Sequence, residues 1–290
     1  MHPDLSLFPN RTSLAPAVWQ ERSLSTAYRL LTGLGNSVVV AYREEPMRSF
    51  TAVTHGVTRS GDLVVAVSEH DPSVQDVDFS ESMSVRLTID KAAPSLMLNV
   101  AAASVHLLGE ATWLSEQECE ELLLAGELSE RVGEMASQGR LAIIEFDRVL
   151  LHDACGVTPV CACDIRAEHA RCLKHQEEAF FCSLEQDIFA HPELELSAVD
   201  VVSDSRLMDA GAIFDGLMLG ALEGAFLARQ EVTNVCAHSL GVICLDVDRT
   251  GMTLMCIDHN EAVTAFIPFA ARVSTRPELV NAIKGLKFHS

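Results

Sequence analysis

The sequence predicts an α+β chain in which an antiparallel β-barrel, closed or nearly closed, is followed by a three-stranded antiparallel sheet with helices. Three observations predict it. About six β-branched runs separated by turns fill the first half, with few long helices between them. A second group of three such runs, closed by a capped amphipathic helix, fills 241–288. Between the two, from about 155 to 195, alternation stops and cysteine, histidine and charge become dense. The expected organisation is a barrel over 1–158, a Cys/His-rich linker or flap over 159–195, and a small α+β unit over 196–290.

Leu24, Ala27, Tyr28 and Leu31 mark one face of a short helix ending around Gly33 and Gly35. Ser37–Tyr42 and Phe50–Thr58 read as strands, and Arg59-Ser-Gly-Asp62 as a hairpin turn into Leu63–Ser68. His70–Val77 is polar and suits a helical turn. Met83–Asp90 and Ala103–Trp113 are further strands. Ser115-Glu-Gln-Glu118 is a capping box that opens a helix through Leu124. Arg140–Leu151 is a long strand with a bend at Asp147-Arg148. Asp209–Val232 reads as one helix bearing a strip of glycines at 211, 216, 220 and 224. Gly241–Val247, Met252–Ile257 and Ala262–Phe269 are three strands joined by Asp248-Arg-Thr-Gly251 and Asp258-His-Asn-Glu261. A second capping box, Thr275-Arg-Pro-Glu278, opens a last helix with Leu279, Ile283 and Leu286 on one stripe.

Composition removes several function classes. A formal net charge of −20 argues against binding the phosphates of a nucleic-acid duplex or an anionic membrane surface. The first ten residues carry an acid and two prolines where a secretory signal needs basic and apolar stretches, so a cytoplasmic location with nine reduced cysteines is expected. The apolar run 213–227 contains Asp215 and Glu223, which suits a buried helix and no membrane span. Neither standard glycine-rich phosphate loop nor a Gly-x-Ser-x-Gly elbow is present.

The order of elements, with Ser104-Val-His-Leu-Leu-Gly-Glu-Ala-Thr-Trp-Leu-Ser-Glu-Gln-Glu118, resembles the flavin-binding split barrel of the pyridoxamine-phosphate-oxidase type. Phe146-Asp-Arg-Val-Leu-Leu-His-Asp-Ala-Cys-Gly156 is similar to the closing strand of its HugZ-like haem-utilisation branch, with Ala154-Cys155-Gly156 where that branch has glycine-phenylalanine-glycine. Residues 241–288 resemble the small domain of unknown function fused to such barrels. The resemblance implies a split barrel, a homodimer with its cofactor cleft between subunits, and either flavin mononucleotide or haem.

Flavin is disfavoured. The stretch 68–81, where flavin-binding relatives hold the phosphate, carries five acids and no Lys or Arg, and each carboxylate would repel a dianion by about 1 kcal/mol at ~4 Å even in water. Haem needs an imidazole, an apolar slot and cations for its propionates. In the branch resembled, the ligand lies beyond the closing strand, which here implies His169, with His175 second and His289 a weaker rival. Arg166 and Arg171 are the implied propionate partners, and Arg148 is a strand alternative. Zinc is a competing reading of Cys161, Cys163, His169, Cys172 and His175, although Cys161-x-Cys163 is tighter than the usual zinc knuckle. Cys236, Cys244 and Cys256 alternate with apolar neighbours and read as buried hydrophobes. His55 and His106 lie on strands, where an ordinary hydrogen-bonded histidine is the simplest reading. Two functions follow: a haem-binding protein with haem degradation of the oxygenase type as its activity, or a cofactor-less barrel binding a partner in tetrapyrrole metabolism. A flavin-dependent oxidoreductase is the reserve.

Overall fold

The computed structural model describes residues 14–74, 77, 79–94, 100–136, 139–182, 192–204, 210–231, 241–258 and 261–286. The chain opens with α1 (Pro16–Leu31), with proline in its first turn. This is longer than the apolar face at 24–31 suggested. From Arg22 onwards it is buried on nearly all sides, Arg22 and Arg29 included.

Strands β1 (Asn36–Ala41), β2 (Arg48–Val57), β3 (Leu63–Ser68), β4 (Met83–Ala92), β5 (Ala101–Trp113) and β6 (Gly139–Asp153) follow. Their order is β3-β2-β1-β4-β5-β6, and β6 pairs back on β3, so six strands close into a barrel. A hairpin strand, β7 (Gly156–Cys161), continues beyond it. Along one edge β6 keeps β5 as its neighbour. On the other it pairs with β3 over 139–144 and with β7 over 148–153. Between these partners Asp147 and Arg148 stand opposite the single residue Leu108, a bulge that bends β6 out of the barrel. The bend expected at Asp147-Arg148 is therefore where the strand changes partners.

Alternation decides which side chains fill the barrel. On β4, Val85, Leu87 and Ile89 face inward while Arg86 and Asp90 are exposed. β3 breaks the pattern because both its faces are covered. Leu63, Val65 and Val67 join the core, while Val64 and Ala66 pack under Leu114 and Val132. Residues around Val132 belong to α3 (Glu130–Ala136), which follows α2 (Glu116–Leu124) and its Ser115–Glu118 capping box.

After β7 comes α4 (Ala162–Cys182), packed on α1 through Ile165 and Cys172. Then come α5 (Pro192–Ser203), α6 (Ala210–Met218), β8 (Ala225–Glu231), β9 (Gly241–Val247), β10 (Gly251–Asp258), β11 (Glu261–Pro268) and α7 (Arg276–Gly285). The small sheet has the order β8-β11-β10-β9. It thus carries one more strand than expected, taken from the second half of the predicted 209–232 helix. Gly220, at φ 68°, ends α6, and the amide of Ala221 returns to the carbonyl of Gly216 at 2.8 Å. Gly224 then lies where a Cβ would sit 2.8 Å from the Phe266 carbonyl. The strip of glycines thus includes a helix terminator and a close backbone approach.

One face of this sheet packs on α5, α6 and α7 through Leu254, Ala265, Phe214 and Leu279. The other meets the barrel: Leu245, Met255 and Ile257 contact Ala93 and Ala102, and Phe266 packs against Trp19 of α1. At this seam a buried ionic cluster joins the units. Arg29 donates from Nη2 to Asp246 at 2.7 Å and from Nη1 to Glu195 at 3.0 Å, and Lys91 pairs with Asp246.

Candidate functional site

The residues expected to hold a ligand divide between two faces of the molecule. His169 lies on the side of α4 that meets α1 and the turn at 58–62, and it is buried. The Tyr28 hydroxyl is 3.0 Å from its Nδ1, and its Nε2 is 3.2 Å from the Arg59 carbonyl. The carbonyl can only accept, so Nε2 carries the proton and the Tyr28 hydroxyl donates to Nδ1. Both nitrogens of the imidazole that the resemblance implied as the iron ligand are thus engaged within the chain. Burial drives the Tyr28 hydroxyl well above the usual phenol range, so it stays protonated as that donor.

Arg171 is bound to Glu168 of its own helix, with Nε at 3.0 Å, and Arg272 binds the same carboxylate from beyond β11. Burial alone would raise the Glu168 carboxyl, yet the hydrogen bonds from the two arginines hold it below its ordinary value. Arg166 is exposed beside Gly61. The side chain of His175 and all of His289 and Cys236 lie outside the described residues. Cys161 and Cys163 are joined to each other, in contrast to the expectation of nine reduced thiols. Cys172 and Cys244 are buried. Among the described residues no group of three or more His, Cys, Asp or Glu is placed to hold a metal ion, and no helix is long and apolar enough to cross a membrane.

Arg148 lies elsewhere, on the outer face of β4–β5–β6–β7. Register and alternation bring four rows together there: Arg86, Thr88 and Asp90 on β4; Leu108, His106 and Ser104 on β5; Arg148, Leu150 and His152 on β6; Pro159 and Val157 on β7. His106 and His152 meet edge to face, with ring centroids 4.6 Å apart at 71°. Thr88 Oγ1 is 3.2 Å from Nδ1 of His106, and Ser104 Oγ is 3.3 Å from Nε2. Partial burial and then the neighbouring imidazole lower the pKa of His106, favouring its neutral form. His152 is half-buried, and among the described residues its ring makes no hydrogen bond. Around the pair Leu108 is 61% exposed, Leu150 37% and Val157 56%, an apolar surface that nothing in the chain covers among the described residues.

This face is hidden in the sequence because its residues come from four strands, and each histidine alone reads as an ordinary strand residue. A signal existed. His106 and His152 both sit at outward positions of runs whose inward positions are apolar, Val105 and Leu107 on one and Val149 and Leu151 on the other.

The acidic stretch at 68–81 has a cation after all: Arg140 is 3.3 Å from Glu69 and stacks over Phe79. A separate cleft of about 220 Å³ lies at the seam of barrel and small sheet, lined by Arg22, Asp153, Thr26, Thr253, Thr264 and Gln230. Arg22 is already committed there to Asp153 at 2.5 Å.

No protein-family model matches the chain, and no curated protein does. Among solved structures it is similar to a haem-binding protein from Mycobacterium smegmatis, at 16% identity over 94% of this chain and 97% of that one, with a TM-score of 0.46. An FAD- and haem-binding protein from the same organism matches at 14% identity over 55% of this chain and 80% of its own, with a TM-score of 0.31. A NimC/NimA family protein from Clostridium acetobutylicum matches at 14% identity over 47% of this chain and 93% of that one, with a TM-score of 0.28.

Proposed function

We propose that the protein binds haem, and that the porphyrin lies against the outer face of β5, β6 and β7. The observation that carries this reading is the His106–His152 pair, set among exposed aliphatic side chains and flanked by Arg86 and Arg148. It combines the three things haem asks of a protein: an imidazole, an apolar surface for the macrocycle, and cations for the propionates. His152 is the iron ligand in this reading, since its nitrogens are not otherwise used. His106, oriented by Thr88 and Ser104, supports the ring of His152 by its edge contact. Arg148 and Arg86 take the propionates. Bound haem would supply an iron centre for oxygen or electron-transfer chemistry, and degradation of the oxygenase type is the activity proposed for it. A single sheet face walls only one side of a porphyrin, so a homodimer, with a second copy covering the other side, belongs to the same proposal.

His169 could reach an iron only by surrendering its bonds to both Tyr28 and Arg59, so in this reading it holds α4 to α1. Hemin titration separates the two histidine assignments. A Soret shift on binding should be lost in His152→Ala, weakened in His106→Ala and kept in His169→Ala. Loss in His169→Ala alone, with a native circular dichroism spectrum, would move the ligand to α4. Adding a reductant and oxygen to the complex tests turnover, through decay of the Soret band. The exposed aliphatic side chains also suit a cofactor-free barrel that docks a protein partner. A colourless preparation that leaves the hemin spectrum unshifted and retains a stable partner would favour that second reading.

A further inference from the structure

We propose that Cys161 and Cys163 form a reversible dithiol–disulfide pair that exchanges with small thiols. The two residues stand where β7 passes into α4, both exposed, with Cα atoms 5.3 Å apart and their sulfurs joined. The bond does not staple the fold. It closes a ring over only three residues, so it removes little loop entropy from the unfolded chain compared with a bridge across a long loop. It also links two elements that are consecutive in the chain. The first turns of α4 are held independently, by Ile165 in the barrel core and by Glu168, His169 and Cys172 against α1 and Arg272. Oxidised and reduced forms therefore share one fold, which is the condition for a bond that exchanges instead of persisting.

The surroundings of the two sulfurs differ, and the difference assigns their roles. Cys161 is the residue before a helix of 21 residues, and the amide of Cys163 donates to its sulfur at 3.3 Å. Arg148 stands directly opposite it in the β6–β7 ladder. The amide donor and the helix N-terminus favour thiolate at Cys161, and the cationic residue Arg148 is its neighbour across the ladder. The Cys163 sulfur instead has the Asp164 carboxylate 3.9 Å away, which favours its thiol form. Starting from the dithiol, the Cys161 thiolate attacks a small disulfide RSSR, forming Cys161–S–S–R and releasing RS⁻. Cys163 then loses its proton and attacks the Cys161 sulfur, closing the protein disulfide and expelling a second RS⁻. The sum is dithiol plus RSSR giving protein disulfide plus two RSH. The reverse sequence consumes two reduced thiols.

The test uses the full chain equilibrated with glutathione at several ratios of reduced to oxidised form. Acid quenching, thiol alkylation and mass spectrometry of the peptide containing both cysteines keep the other seven cysteines out of the measurement. The expected result is a reversible change between doubly alkylated and disulfide forms as the ratio is varied. Cys163→Ser should accumulate a mixed disulfide on Cys161, and Cys161→Ser should slow reaction at Cys163 by about tenfold or more. A pair that stays oxidised in excess reduced glutathione, or stays reduced in excess oxidised glutathione, overturns the proposal. Equal reactivity of the two single variants overturns the assignment of roles.

Discussion

Glu195 carries the sharpest consequence of the seam between barrel and small sheet. It is a fully buried carboxyl whose Oε2 accepts from Arg29, yet burial pushes its pKa up from 4.5 to about 7. The Arg29 guanidinium is shared among several carboxylates, and Asp246 takes both of its Nη groups as well as Lys91. Burial opposes ionisation of Asp246 as well, but the two cations outweigh it and hold that group well below the carboxylate range. At Glu195 burial and the Asp246 charge outweigh the relief from Arg29 and Lys91, so its carboxyl holds its proton to a higher pH than an exposed one does.

A folded-state value above the unfolded one means that the native protein holds a proton the unfolded chain has released. Stability contributed by this group is therefore fully present below 4.5, falls as the pH rises towards about 7, and is level above that. At roughly 1.4 kcal/mol per unit the loss is about 3 kcal/mol. Glu195→Gln keeps the shape and an acceptor for Arg29 but cannot ionise. It should match wild type near pH ~5 and exceed it near pH ~8, by up to about 1 M in urea midpoint. Trp19, packed on Phe266 across the seam with centroids 6.1 Å apart, reports the unfolding by fluorescence. Parallel pH profiles for the two proteins, or a Gln variant less stable than wild type near pH ~8, would refute the reasoning.

Three further expectations concern Arg29, His55 and Gly109. Arg29→Met leaves Asp246 and Glu195 without their shared cation and should cost about 3–5 kcal/mol by urea unfolding; a loss below ~1 kcal/mol would show that the cluster reorganises. His55 donates from Nε2 to the Leu30 carbonyl at 2.7 Å and accepts from Ser37, and burial lowers its pKa from 6.5 to about 4. Its contribution is fully present above 6.5 and is lost as the pH falls towards about 4, so His55→Gln should flatten the acid limb of the stability profile while losing about 1–3 kcal/mol near neutrality. Gly109→Ala puts a Cβ 2.3 Å from the Glu145 carbonyl, which forces β5 and β6 apart beside the bulge. A loss of about 1–3 kcal/mol is expected, measured as a fall in melting temperature.

Of the fold, the elements bounded by local chemistry were legible from the chain alone. The two capping boxes at Ser115 and Thr275 are both formed. The Asp248 turn closes through hydrogen bonds from Thr250 and Gly251 to the Asp248 carboxylate, and alternation placed the strands of the barrel. Each depends on residues within a few positions of one another, so sequence spacing carries it. The 209–232 segment misled for the complementary reason. Ala225-Phe-Leu-Ala-Arg-Gln-Glu231 has enough helix formers to continue α6, and only its pairing with β11 makes it a strand.

The site shows the same division more strongly. Composition and motif established that the chain is acidic, that it has imidazoles and thiols after its last barrel strand, and that its 68–81 stretch is poor in cations. Which imidazole is spent on the fold and which faces outward was decided by tertiary contact. Tyr28 and the Arg59 carbonyl, 141 and 110 positions away from it, claim His169, while His106 and His152 meet only because β5 and β6 are neighbours. A side chain's availability depends on whether the fold supplies both of its hydrogen-bonding atoms with partners. Those partners come from segments whose distance along the chain carries no information about their distance in space.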